Sequence, residues 1–368
     1  MENLALLLQS EATQNQYIFN FILMNIIFLV SCVNRNKREN VKFTWFLLII
    51  FCLFAYWDTD YFSFRYFYLS PDFVNFRDPL YYYLSLLSFN SYTIFRLIIW
   101  GGGLLLFIKS LKVFNIPLNI SAFVFAIFYL LTFSFGRISL GVCMYFLGVS
   151  LLLNARYYKT SRFIIGVILV IGSYWGHRAM ILPIALTPLI LLKPNRRQIS
   201  ILIVLGFLIG KFTAPFLAGL LSGDINIGSG TAAEDALLSY ASNENELVMN
   251  WKFKLTSELR WYSIYILMGY SVWKCFYSKY RDVIRLGIKK IIVLSFGIFL
   301  IAFNLQQFDT IGANEMGERF LFILGIPLTL TLAYLKKENM CSRKTMFFLL
   351  LPALIYAEGF IFGKILSF

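Results

Sequence analysis

Long apolar runs, each closed by a short polar turn, recur along the whole chain. They lie near 17–33, 43–56, 92–108, 116–136, 138–153, 163–175, 180–192, 199–221, 261–276, 291–305, 320–334 and 346–363. The apolar positions are continuous rather than alternating, which predicts helices and speaks against the short, alternating strands of a membrane barrel. Many runs approach the about 20 residues with which a helix crosses a bilayer. The expected fold is an all-α polytopic membrane protein with about twelve transmembrane helices in one integral domain over 1–368. Its longer polar segments, the expected outer loops, lie near 57–91, 222–260 and 306–319. The first run is long enough to span by itself, so it reads as a helix rather than a cleaved signal.

The pattern tightens from Ser134 to Leu192, where two apolar hairpins each carry a basic tip: Arg137 in the first, His177-Arg178 in the second. His177 is the only histidine in the chain. Arg156, Lys159, Arg162 and Lys193 bracket the base of the second hairpin. If they mark one membrane face, Phe163–Leu192 must cross and return in two legs of about 15 residues. At about 1.5 Å rise each leg reaches about 22 Å, short of a hydrocarbon core of about 30 Å. The tip is therefore expected below the far surface, in a recess walled by protein or filled with water. A cationic pair held at that depth marks a functional site by default.

Composition narrows the class. A chain 59% hydrophobic and 14% charged is no soluble enzyme. The net charge of +14 invites a polyanion partner, but its distribution argues for topology instead. One set of loops contains Arg35/Lys37/Arg38/Lys42, Lys109/Lys112, Arg156/Lys159/Arg162, Lys193/Arg196/Arg197, Lys274 through Lys290, and Lys336/Lys337/Arg343/Lys344. It holds 22 of the 33 basic residues and, of the acids, only Glu39, Asp282 and Glu338. The positive-inside rule puts that set in the cytoplasm and both termini outside. No nucleic-acid partner is expected. Five cysteines without CxxC spacing and a single histidine give no imidazole or thiolate metal site, and the thiols read as inert packing groups.

Polar chemistry collects in the other loops. WDTDYFSFRYFYLSPDFVNFRDPLYYY combines Asp58, Asp60, Asp72 and Asp78 with Arg65 and Arg77 amid dense aromatics. Tyr and Trp favour membrane interfaces, and they also stack on sugar rings while carboxylates accept from hydroxyls. The segment 222–260 starts glycine-rich and reads as a mobile lid or a plain connector; its GSG lacks the GK[ST] of a phosphate loop. The third loop ends in Glu318-Arg319 just before a span, where an arginine opposes the helix dipole unless an anion or Glu318 compensates. Lys211, about twelve residues into its run, is expected near mid-membrane.

With these residues placed, the chain resembles the EpsG-like family of exopolysaccharide polymerases, relatives of the Wzy O-antigen and capsule polymerases. WDTDYFSFRYF falls where that family has an aspartate-tyrosine stretch, and RDPLYYYLSLL where it has an acidic-Pro-Gly motif. FGRISLGVCMYFLG is similar to its Arg-Gln helix start, with Ile138 in place of glutamine. YWGHRAMILPIAL corresponds to its Phe-His-X-Ser-Ala segment, with Arg178-Ala179 in place of a Lys/Arg-Ser pair, and ERFLFILGIPL to its late arginine helix. The resemblance covers most of the chain through short motifs. It implies a GT-C-like helical glycosyltransferase of the bacterial cytoplasmic membrane. Such an enzyme joins polyprenyl-pyrophosphate-linked oligosaccharide repeat units at the outer face, beside a flippase and a chain-length regulator of the same pathway.

The residues suit that chemistry. Arg137, Arg178 and Arg319 fall at outer span ends, where guanidinium forks bind a lipid pyrophosphate without metal or other cofactor. His177 or Asp60 would take the acceptor proton. Asp58, Tyr61, Arg65, Arg77, Asp78 and Glu318 would hold saccharide. Two other classes compete, a flippase of the same lipid-linked saccharide and a membrane O-acyltransferase. A flippase needs ionisable groups along several helix middles, where only Lys211 is expected. An acyltransferase with a cytoplasmic donor needs its histidine reachable from the inner face.

Overall fold

The structure, a computed structural model, describes residues 14–33, 38–54, 65, 68–69, 79–130, 138–155, 160–206, 208, 251–306 and 311–366. All regular structure among them is helical. Among the described residues four helices, Tyr92–Val113, Leu286–Leu305, Gly317–Lys337 and Arg343–Gly363, are long and apolar enough to cross a membrane by length and composition. Helix α1 spans Gln14–Val33, α2 Arg38–Phe54 and the short α3 Pro79–Ser85. Helix α4 runs over Tyr92–Val113 with a π turn at Leu97–Gly101. Helix α5 covers Leu118–Val124 and continues as a π turn over Phe125–Leu130.

Helices α6 (Ile138–Asn154) and α7 (Ser161–Gly176) pack on one another, and α7 with the limb that returns after His177 forms the second hairpin anticipated from the sequence. The Thr160 hydroxyl caps the start of α7 by accepting from the Phe163 amide. The return limb departs from an ideal α-helix. Its centre, α8 (Ile181–Leu186), is flanked by 3₁₀ turns at Arg178–Met180 and Thr187–Leu191. The longer 3₁₀ rise stretches this limb to roughly 25 Å, against about 24 Å for α7. Both stay short of a hydrocarbon core, so the physical basis for a sunken tip persists. Residues 196–206 form α9. Then come α10 (Trp251–Val272, closed by a π turn at Trp273–Tyr277), α11 (Leu286–Leu305), α12 (Ile311–Lys337) and α13 (Arg343–Leu366).

Helix α6 sits at the centre, packed on α4, α7, α11, α12 and the Arg178–Met180 turn. Exposed apolar residues recur at helical spacing on outward faces, Phe19, Ile22, Ile26 and Leu29 on α1 and Ile164, Ile168, Ile171 and Trp175 on α7. These are stripes that a bilayer would cover.

Contacts sort the helix ends into two groups. At one end, Arg285 Nη2 donates to Asn154 Oδ1 at 2.8 Å, the Arg285 amide donates to Tyr334 Oη at 3.2 Å, and the Arg285 guanidinium lies 5.6 Å over the Phe114 ring. The C-terminal ends of α4, α6 and α12 therefore meet there, and so does Tyr277 after α10, 2.8 Å from Ser200 of α9. Basic residues crowd this end, among them Lys112, Arg196, Lys274, Arg285 and Lys336. Cys341 lies in the turn between α12 and α13 at this end, where burial pushes its thiol pKa up. It therefore stays protonated and unreactive at neutral pH. Cys143 and Cys275 are likewise buried and free.

The opposite end gathers the start of α6, the α7–α8 tip, the end of α11 and the start of α12. Gln14 at the head of α1 donates to Ile365 O at the tail of α13, at 3.1 Å. The first and last described helices thus begin and finish beside one another.

Candidate functional site

The α7–α8 tip is built by local rules. Helix α7 closes at Gly176, and the His177 amide still donates to Ser173 O at 3.0 Å. His177 is extended and serves as N-cap of the Arg178–Met180 turn, its Nδ1 accepting the Ala179 amide at 3.1 Å. The imidazole is 8% exposed, whereas Arg178 at the first position of the turn is exposed. The cationic pair expected from the sequence thus divides into a buried ring that shapes the tip and a guanidinium that the tip displays.

Glycines seat this tip on α6. A Cβ on Gly141 would stand 3.1 Å from Ser173 O and 3.2 Å from both N and Cβ of His177. Lower down, a Cβ on Gly148 would meet Gly166 O at 2.7 Å and the Val170 amide at 2.9 Å. The two helices run antiparallel in backbone contact, the arrangement that small residues permit. Tyr145 secures the return limb: its hydroxyl donates to Pro183 O at 2.6 Å and lies 2.9 Å from Thr187 Oγ1. The 3₁₀ turn sends the Thr187 amide to Ile184 O instead, so side-chain hydroxyls serve the Pro183 carbonyl.

Glu318 and Arg319, both half-buried, belong to the same end of the molecule. Their placement corrects one expectation. Helix α12 begins at Ile311, which puts Arg319 in its third turn rather than at a helix start. The dipole field fades within the first turn, so it does not oppose Arg319. Polar residues carry the helix outward past the apolar run, and Gly317 packs directly on α11, where a Cβ would come 2.8 Å from Ala302 O. Glu318 lies close enough to Tyr265 of α10 to act on it electrostatically, and the Tyr265 hydroxyl donates to Gln306 Oε1.

Asp58, Asp60, Tyr61, Arg77, Asp78, Arg137 and Lys211 lie outside the described residues, as does the expected lid over 222–250, whereas its last ten residues, 251–260, are the start of helix α10 rather than a loop. The elements that adjoin them are described. Helix α6 starts immediately after Arg137, and α3 starts immediately after Asp78 and packs on α7 and on α4. Arg65 is half-buried. Tyr68 fastens the first polar loop to this end, stacked on Phe95 at 4.8 Å with its hydroxyl 2.6 Å from Ser88 Oγ.

Two arginines escaped the sequence reading. Arg96 is 3% exposed; its Nη1 donates to Leu53 O at 2.7 Å and its guanidinium lies 3.6 Å over the Trp100 ring. It thereby holds the carbonyl end of α2, from which the chain leaves toward Asp58 and Asp60. The signal was a lone arginine inside SYTIFRLIIW. Arg260 lies over three rings, 4.2 Å from Phe322, 4.9 Å from Trp261 and 5.7 Å from Tyr356. It sits about one and a half helical turns from Tyr265, at the end that carries Arg319.

Chemically, this end offers an exposed guanidinium on a rigid turn, a second one on α12, and aromatic, amide and carboxylate groups between α10, α11 and α12. Guanidinium forks suit phosphate oxygens, and aromatic faces with polar neighbours suit sugars. Among the described residues no three His, Cys, Asp or Glu side chains cluster as metal ligands. Comparison of the chain with protein-family models, curated proteins and solved structures found no match.

Proposed function

We propose that the protein is a polysaccharide polymerase of the bacterial cytoplasmic membrane, a metal-independent glycosyltransferase of the EpsG/Wzy kind with a GT-C-like architecture and about twelve spans. Its substrates are oligosaccharide repeat units carried on polyprenyl pyrophosphate, and it works at the outer face. The segregation of helix ends carries this reading. Among the described residues one end collects Lys112, Arg196, Lys274, Arg285 and Lys336, which are expected in the cytoplasm; the other collects Arg178, Arg319, Glu318 and the elements adjoining Arg137 and the aspartate-rich loop.

In the proposed reaction an acceptor sugar hydroxyl attacks the anomeric carbon of the growing chain. The bond from that carbon to the pyrophosphate oxygen breaks, and polyprenyl pyrophosphate leaves. Arg137, Arg178 and Arg319 bind the pyrophosphate and stabilise the negative charge that develops on it. The hydroxyl proton passes to a base, for which Asp60 and His177 are the candidates. Asp58, Tyr61, Arg65, Arg77, Asp78 and Glu318 hold the saccharides.

The test is the lipid-linked glycan profile of a strain lacking the gene. Single repeat units accumulating on their lipid outside the membrane are expected, with loss of polymer; a full-length polymer in that strain overturns the reading. Orientation is checked separately. A membrane-impermeant maleimide applied to sealed cells should reach cysteines placed at Asn226 and Asn243 but not at Asn195 or Glu338. Labelling of the latter pair from outside would invert the assigned sides. The native Cys143, Cys275 and Cys341 are buried, and replacing Cys32 and Cys52 by serine keeps the background low.

A further inference from the structure

We infer that His177 is a positioning residue that fixes Arg178, and that it is not the group that removes the acceptor proton. A neutral imidazole has one nitrogen that accepts and one that donates. Nδ1 of His177 accepts the Ala179 amide at 3.1 Å, so the ring proton resides on Nε2. A ring in that state offers a donor where a base would need a lone pair. What the Nδ1 contact does is mechanical: it caps the Arg178–Met180 turn and so sets where the first residue of that turn, Arg178, is displayed. Backbone packing holds the cap in place from the other side, since Gly141 leaves room for His177 N and Cβ and no more. The role in catalysis rests on the proposed transferase reading and moves the base to Asp60; the protonation pattern of the ring does not depend on that reading.

The single histidine makes the protonation pattern directly measurable. Full-length protein labelled with ¹⁵N-histidine, purified through a histidine-free tag and placed in lipid nanodiscs, gives ring signals from His177 alone. Protonated Nε2 with bare Nδ1 is expected, and a proton on Nδ1 overturns the inference. Variants then separate the nitrogens by shape. Asparagine puts its carbonyl oxygen near the place of Nδ1 and is itself a favoured N-cap, whereas glutamine puts its polar group near the place of Nε2. H177N should keep polymer formation within a few-fold of wild type, and H177Q should lose about fivefold to thirtyfold, the size of a lost cap. Equal loss in both, or retention in H177Q alone, overturns the positioning role. Wild-type protein that supports no polymerisation sinks the transferase reading, while the ring spectrum still decides the cap.

Discussion

Replacing Arg319 or Arg137 by alanine is expected to abolish polymer, by roughly 10²–10³-fold in rate, while the protein remains in the membrane. The magnitude follows from what the leaving group demands. A departing pyrophosphate gathers negative charge at the moment the glycosidic bond breaks, and preorganised donors in a dry site stabilise that charge far more than water does. Arg319 is suited to this because α12 is rigid there: Gly317 presses it onto α11, and the half-buried side chain works where water is scarce. Lysine at either position should restore only part of the activity, since it keeps the charge but loses the planar fork that engages two phosphate oxygens. Polymer length on gels, normalised to protein level by immunoblot, reads both effects. Full polymer from the Arg137→Ala and Arg319→Ala proteins would rule out a shared pyrophosphate site.

The second large effect is expected from Gly148→Leu, in the seam between α6 and α7. A Cβ there meets Gly166 O at 2.7 Å and the Val170 amide at 2.9 Å, and these are backbone atoms that no rotamer change can move aside. Helices α6 and α7 would have to separate, at a cost near the upper end of the about 1–3 kcal/mol typical of overpacking, and the tip carrying His177 and Arg178 would leave its seat at Gly141. The thermal midpoint in detergent should drop and polymer should disappear together. Gly102→Ala and Gly269→Ala meet nothing within 4 Å and serve as controls, with stability unchanged or raised by up to about 1 kcal/mol. A Gly148→Leu protein with the wild-type midpoint and normal polymer would show that the seam is not tight.

Apolar period and punctuation alone determined several features of this protein. The run expected over 138–153 is helical over Ile138–Asn154, and that over 163–175 over Ser161–Gly176. Thr160 and His177 bound the latter because a hydroxyl and an imidazole can serve backbone amides that a helix or turn leaves open. The position of the His177-Arg178 tip was legible for the same reason. Local pattern also predicted an all-helical chain, since the apolar runs are too long for strands and do not alternate as those of a membrane barrel would. It could not say that α12 reaches back to Ile311, because IGANEMGER lacks apolar length and is helical while its Gly317 packs on α11. Nor could it assign the burial of Arg96, whose meaning depends on the Leu53 carbonyl brought beside it from another helix. The sorting of charges between alternate loops was legible, but which helix ends meet was not; contacts such as Arg285 to Asn154 and Gln14 to Ile365 decide that. Periodicity reports which face of a segment is apolar; which partner that face meets, and which polar atoms are then left to pair, is decided only when distant segments pack.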